Sequence, residues 1–345
     1  MIGVAVVGYG YWGPNLVRNL ADNPGAQLRW VCDLQTERLG GVRRRYPTVQ
    51  ITEDIDDILT DPLVDAVAIA TPVTSHFPLA MRALRAGKHV FVEKPITETT
   101  AQAEQLIAEA ERRGLTLAVD HTFIHTGAVR KMRDIIRNDV GEVYYYDSVR
   151  VNLGLFQHDV SVMWDLAVHD LSIMDFVLPE RPRAVSATGI SHVPGQPENI
   201  AYLTLHFAST LIAHVHVNWL APVKVRRTLV GGSNKMIVYD DLEPSEKIKV
   251  YDRGITLDGL HGRHGQKANQ LRVGYRTGDM MAPQLDMSEA LGVELREFIS
   301  CIEGGRTPAA DGRAGLRVVR MLEAATTSLR RNGEMVQLAE DRVFA

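Results

Sequence analysis

Residues 4–15 read "VAVVGYGYWGPN". An apolar, β-rich run ends on Gly8, and Gly8, Gly10 and Gly13 stand in G-x-G-x-x-G spacing before a helix predicted over 13–21. In a strand–turn–helix context the three glycines have separate uses. Gly8 permits the tight turn, Gly10 lets a pyrophosphate approach the backbone, and Gly13 lets helix and strand pack closely. The helix N-terminus adds unpaired N–H groups and the positive end of its dipole. A glycine triplet can also be a chance turn in an α/β protein. The second apolar run argues against that, because "WVCD" ends on Asp33, 20 residues past Gly13. An acid there suits the ribose hydroxyls of NAD and repels the 2′-phosphate of NADP. Arg38 and Arg43 to Arg45 lie nearby but offset from where a 2′-phosphate would sit. The expected cofactor is therefore NAD rather than NADP. Tyr9, Tyr11 and Trp12 within the loop, with Leu34 and Arg38 beside the acid, complete the expected binding set.

Outward from that turn the first 120 residues keep one rhythm. Apolar runs at "GVAVVG", "QLRWVCD", "DAVAIAT", "KHVFVEK" and "LTLAVD" alternate with helical stretches near 13–21, 35–45, 53–60, 74–86 and 99–113. The runs are apolar at both alternations, as in strands covered on both faces, so a parallel sheet of right-handed βαβ units is predicted. Gly87 and Gly114 read as helix C-terminal glycines.

After about residue 122 the rhythm changes. An amphipathic helix, "TGAVRKMRDIIRN", precedes a long β-rich run, "GEVYYYDSVRVNL", and a helix over 162–178. Six β-rich runs follow without intervening helices, from "RAVSATGIS" to "EKIKVYD". They predict a mostly antiparallel sheet in an α+β arrangement. Residues 254–285 lack a clear period and read as a long functional loop; helices near 287–303 and 312–331 close the chain.

The totals narrow the class. With 345 residues, 45% hydrophobic and 23% charged, the chain fits two soluble domains. A formal net charge of −4 favours neither nucleic acid nor an anionic membrane as partner. Two distant cysteines without CxxC argue for a reducing compartment and against a zinc site. No signal peptide or transmembrane span is expected, so the cytoplasm is the expected location.

Two further stretches carry chemistry. "HVFVEKPIT" ends the run at 89–92 with Glu93, Lys94 and Pro95, beyond the carboxyl end of a strand, where open α/β sheets bind ligands. A surface ion pair would look the same. "WDLAVHDLSIMDF" (164–176) spaces Asp165 and His169 four apart among apolar residues, which is either a buried hydrogen bond or a pair facing substrate. Asp170 points about 100° away from His169 and is left out of the chemistry. "HTFIH" spaces His121 and His125 like a zinc-protease helix but has Thr122 where the glutamate base belongs, so no metal is expected. His214 and His216 read as one face of a strand. Arg150, Asn152, Gln157, His158 and Asp159 gather polar groups before the 162–178 helix, as a solvated loop or as substrate contacts. Lys224, Arg226, Arg227, Tyr275 and Arg276 are candidate diphosphate partners.

Together the Gly8–Gly13 loop, "IATPVTSHFPLAMRALRAGKHVFVEKP" (69–95) and Asp165-x-x-x-His169 closely resemble the Gfo/Idh/MocA family of NAD(P)-dependent oxidoreductases, over nearly the full chain. "YGYWGPN", residues 144–173 and residues 230–252 look like its subgroup of sugar-nucleotide 3-dehydrogenases and ketoreductases. The resemblance implies a Rossmann domain over 1–122 and an α+β domain with an open, mostly antiparallel sheet over 123–345. The second would bind substrate and form a homodimer or homotetramer. Carried over residue by residue, Lys94, Asp165 and His169 are catalytic, and Thr71, Pro72, His76, Glu93 and Lys94 lie at the cofactor. His121 and Phe123, after the sixth strand, line the active site. The implied reaction moves a hydride between nicotinamide and a secondary alcohol, at C3 of a nucleotide-diphospho-sugar. The alternatives are free sugars, cyclitols, or 3-keto reduction. An imidazole with pKa ~6.5 suits His169 as general acid/base, with Lys94 stabilising the alkoxide and Asp165 orienting substrate or tuning His169. The first two roles are exchangeable. A catalytically silent regulatory protein on the same fold would not need all three residues.

Overall fold

The computed structural model describes residues 1–154, 160–258 and 272–339. They form two compact units, Met1–Thr126 with Met287–Glu323, and Gly127–Asp286 with the chain from Ala324 onward.

In the first unit, β1 (Ile2–Val7), α1 (Gly13–Ala21), β2 (Ala26–Cys32), α2 (Thr36–Arg45), β3 (Gln50–Thr52), α3 (Ile55–Thr60), β4 (Ala66–Ile69), α4 (His76–Arg85), β5 (His89–Val92), α5 (Thr100–Arg113) and β6 (Leu117–Val119) follow the predicted alternation. All strands run parallel, in the order β3-β2-β1-β4-β5-β6. The order reverses between β1 and β4, so their carboxyl ends open a crevice at Gly8 and Ala70. Val4, Val6, Ala66, Val67, Val90 and Val92 are fully buried, which is why these strands read apolar at every position. Local signals set the helix ends: Thr99 caps α5 by accepting the Gln102 N–H, and Gly114 ends it at φ +66.

The second unit holds α6 (Gly127–Asn138), β7 (Val143–Leu153), α7 (Val168–Val177), β8 (Ala184–Ile190), β9 (Ile200–His206), β10 (Ile212–Asn218), β11 (Leu220–Gly232), β12 (Met236–Asp240), β13 (Ile248–Tyr251), β14 (Gly254–Asp258), β15 (Arg272–Arg276) and β16 (Met280–Met281). Then come α8 (Ala290–Gly304) in the first unit, α9 (Gly312–Arg330), and β17 (Val336–Gln337) in the second. Nine strands form one sheet, β16-β13-β12-β11-β7-β10-β9-β8-β17, antiparallel except where β7 meets β10. The α+β reading is therefore correct.

Three features differ from the sequence expectation. The chain does not divide at a single boundary at 122, because 287–323 returns to the first unit. There Leu291, Leu295, Phe298 and Ile299 of α8 join the core of β1, α1 and β2. The helix at 162–178 opens with a π-turn at Met163–Ala167 before α7. Within the expected long loop at 254–285, β14 and β15 pair as an antiparallel ribbon. The alternation of Ile255 with Leu257 and of Val273 with Tyr275 is a period-2 signal for it.

Candidate active site

The first unit presents the crevice. Gly8 takes φ +97, and a Cβ there would lie 2.5 Å from the Ala70 carbonyl oxygen. A Cβ on Gly13 would overlap the Gly8 carbonyl. The chain's own packing demands both glycines. Gly10 is different, since the nearest atom to a Cβ there is Arg38 Nη1 at 3.5 Å. The space over Gly10 is a cradle that a side chain would narrow, which fits a pyrophosphate. Asp33 ends β2 as a buried carboxylate, accepting the Tyr9 N–H at 2.6 Å and the Gln35 N–H at 2.8 Å, with Arg38 3.5 Å away. Tyr11 is 96% and Leu34 85% exposed, two large apolar side chains at the ends of β1 and β2 that a dinucleotide would cover. These residues fit NAD, which when bound supplies the hydride acceptor or donor.

Behind the glycine loop, Trp12 Nε1 donates to Asp120 at 2.8 Å. Asp120 follows β6 and also accepts from the Thr122 N–H and hydroxyl. Glu93, directly after β5, is half-buried beside Asp120 and Lys94; desolvation, then the Asp120 charge, pushes its carboxyl well above the ordinary range. The Lys94–Pro95 peptide is cis, and Lys94 is half-buried. Phe123 lies in the 3-10 turn Thr122–His125, half-buried. His121 is 2% exposed, neither ring nitrogen has a hydrogen-bond partner among the described residues, and burial pulls its pKa down to about 4.

His76, expected at the cofactor, joins two turns at the carboxyl ends of the strands. It is buried, with its ring nitrogens 2.8 Å from the carbonyl oxygens of Pro95 and Thr71. It therefore clamps the turn after β4 to the turn after β5. Thr71 and Pro72 lie on the first of those turns, with the Thr71 hydroxyl accepting from Ser75.

In the second unit, Asp165 sits in the π-turn and accepts from Trp219 Nε1 at 3.1 Å. His169 opens α7, half-buried. The two are thus not spaced by a plain α-turn; a π-turn re-aims the residue before it, a distortion frequent at functional sites. Arg150, expected as a substrate contact, packs in the interior of the second unit. It is buried on β7, with Nε 2.6 Å from Asp170, which also accepts from Ser148. Asn152 is half-buried on β7, and Tyr275 is exposed on β15. Gln157, His158 and Asp159 lie outside the described residues. The proposed diphosphate partners are largely committed: Arg226 pairs with Asp241, Arg227 with Asp240 and Arg276 with Asp252. His216 stacks on Tyr202, and His214 lies 3.3 Å from Asp147.

The model of an oxidoreductase family with an NAD-binding Rossmann fold matches residues 2–121, and that of its C-terminal alpha/beta domain matches 133–338. The chain belongs to the Gfo/Idh/MocA oxidoreductase family. Its first unit is accordingly an NAD-binding Rossmann domain. Relatives include UDP-N-acetylglucosamine 3-dehydrogenase of Acidithiobacillus ferrooxidans, 29% identical over 85% of this chain and 87% of that one. The NAD(+)-dependent scyllo-inositol 2-dehydrogenase of Bacillus subtilis is 26% identical over 100% and 97%. Among solved structures, GenD2 from gentamicin A biosynthesis, in complex with NAD, superposes with a TM-score of 0.81 at 24% identity over 98% and 97% of the chains. Among the described residues no helix is long and apolar enough to cross a membrane.

Sequence reasoning missed Asp120, Glu294 and Trp219. Asp120 had a signal, an acid closing a strand of the parallel sheet in "LTLAVD". Glu294 had a weaker one, since it falls on the apolar face of α8 between Leu291 and Phe298. Trp219 had none; its link to Asp165 joins residues 54 apart.

Proposed function

We propose that the protein oxidises a secondary alcohol with NAD, at C3 of a nucleotide-diphospho-sugar. The cradle at Gly10 carries the cofactor half of this reading, and the family membership carries the reaction class. Lys94 and His169 exchange the hydroxyl proton and stabilise the alkoxide, and Asp165 orients the substrate or tunes His169. Trp219 Nε1 donates to Asp165 and fixes that carboxylate in place. The identity to a UDP-N-acetylglucosamine 3-dehydrogenase supports the sugar-nucleotide reading. A second reading, a free sugar or cyclitol, has its own support: the inositol-dehydrogenase relative spans the whole chain, and Arg226, Arg227 and Arg276 are paired with carboxylates. We place the enzyme in the cytoplasm as a homodimer or homotetramer.

The test is steady-state turnover with nucleotide-sugars against free sugars and inositols, in both directions. Turnover of polyols alone overturns the first reading. Lys94→Ala and His169→Ala are each expected to lose about 10²-fold or more in kcat while NAD binding persists. Near-normal turnover in both removes them from the proton chemistry.

A further inference from the structure

In the second unit, β7 directs three buried side chains at one residue of α7. Tyr146, Ser148 and Arg150 alternate along the strand, so they share the face that meets the helix. All three are buried. The Tyr146 hydroxyl donates to the Asp170 carbonyl oxygen at 3.3 Å, and the Ser148 hydroxyl donates to Asp170 Oδ1 at 2.6 Å. Arg150 donates through Nε to Oδ2 at 2.6 Å and through Nη2 to Oδ1 at 3.3 Å. β7 lies inside the sheet, paired with β10 on one side and β11 on the other, so the anchor itself is fixed. Adhesion does not need such an arrangement. Leu171, Ile173, Met174 and Val177 are fully buried and hold α7 by apolar contact. A buried ion pair adds little to that, because desolvating both charges offsets their attraction. What it adds is direction: a guanidinium fork meets a carboxylate in one geometry, whereas apolar contacts tolerate sliding. Direction matters at this place. The π-turn at Met163–Ala167 carries one residue more than a regular turn, and absorbing it into a plain α-helix would shift the register of α7 by one position. Such a slip turns every side chain by about 100°. It would draw Asp170 off β7 and swing His169 away from its present direction.

We propose that Tyr146, Ser148, Arg150 and Asp170 are positioning residues that lock the register of α7 and so aim His169 at the substrate. The proposal rests on the functional reading above, in which His169 exchanges the substrate proton. Asp170 touches no reacting atom; it acts through the residue before it. The Ser172 hydroxyl donates to the His169 carbonyl oxygen at 2.8 Å, so His169 is held at its own backbone and at the next residue. Asp165, inside the π-turn, is held separately by Trp219 Nε1. The divergence of Asp170 from His169 along the helix is what makes the device work. One side chain grips the sheet while its neighbour is left to face the reaction.

The experiment measures kcat, NAD affinity and the His169 ring resonance in Ser148→Ala and Asp170→Asn, each alone and combined with His169→Ala. The resonance is read in proton–carbon correlation spectra and identified by its loss in His169→Ala. kcat is expected to fall at least about fivefold in Ser148→Ala and about 20-fold in Asp170→Asn, while NAD affinity stays within about twofold. In the His169→Ala background both substitutions are expected to change the residual kcat by less than about twofold, because nothing is left to aim. The ring resonance is expected to shift or broaden in both single variants. Asp170→Asn deprives a buried guanidinium of its charge partner and is expected to lower Tm. Ser148→Ala removes one hydroxyl and carries the test by itself should the other variant fail to fold. A kcat loss that persists undiminished in the His169→Ala background, or an unmoved ring resonance, overturns the positioning role alone. A wild type that oxidises no alcohol overturns the functional reading and the positioning role with it.

Discussion

His121 shows how a single side chain can be decided by its surroundings. In sequence it is one of two histidines that imitate a metal motif. In the fold it is enclosed, and burial holds it neutral down to about pH 4 against an ordinary 6.5. The unfolded chain therefore binds a proton there between pH 6.5 and about 4 that the folded chain refuses, so stability falls as pH drops through that window. At the window's lower end the cost is about 3 kcal/mol. Glu93 and Glu294 work the other way, because their raised proton affinity favours the folded state as pH falls. Comparison with His121→Asn isolates the histidine: urea midpoints at pH 7 and pH 4.5 are expected to drop more in wild type than in the variant. Equal drops would mean that His121 carries its proton in the fold. Arg150 teaches the same lesson from the opposite side. Standing before the segment that carries Asp165 and His169, it reads as a substrate contact, yet in the fold its guanidinium pairs with Asp170 of α7.

At the scale of elements, the strand–turn–helix at the N-terminus assigns its glycines unequal duties. Gly8 and Gly13 answer to the chain itself, through a left-handed φ and a backbone contact. Gly10 answers to something outside the chain, because the chain leaves room for a Cβ there. Gly13→Ala is thus expected to lower Tm, as α1 must move off the turn. Gly10→Ala is expected to hold Tm within a degree or two and lose about tenfold or more in NAD affinity, read by fluorescence titration. Unchanged NAD affinity in Gly10→Ala would place the pyrophosphate elsewhere. The π-turn at Met163–Ala167 is the second element with a duty. It inserts a residue into the helical register, so Asp165 reaches Trp219 and is fixed there.

At the scale of the molecule, the chain's return after residue 286 matters most. Phe298 of α8 packs against Phe91 with ring centroids 5.5 Å apart, and four apolar residues of that helix lie in the core of the first unit. The Rossmann domain is thus incomplete in its own first 122 residues. Phe298→Ala is expected to cost about 3–5 kcal/mol of stability, and a fragment of residues 1–122 to lack a cooperative thermal transition. A fragment that melts cooperatively near the full protein's Tm would show that α8 is dispensable.

The sequence by itself determined the parallel sheet, the glycine loop, Asp33 and the family, because each is written in short-range order: alternation, glycine spacing and an acid at a strand end. It also determined the residue types at Lys94, Asp165 and His169. Only the tertiary structure decided where buried charge goes. Arg150 meets Asp170, Asp165 meets Trp219, and Asp120 meets Trp12, each across long stretches of chain. A residue's charge is local, but the partner that makes its burial tolerable is set by packing, and packing has no period that a sequence displays.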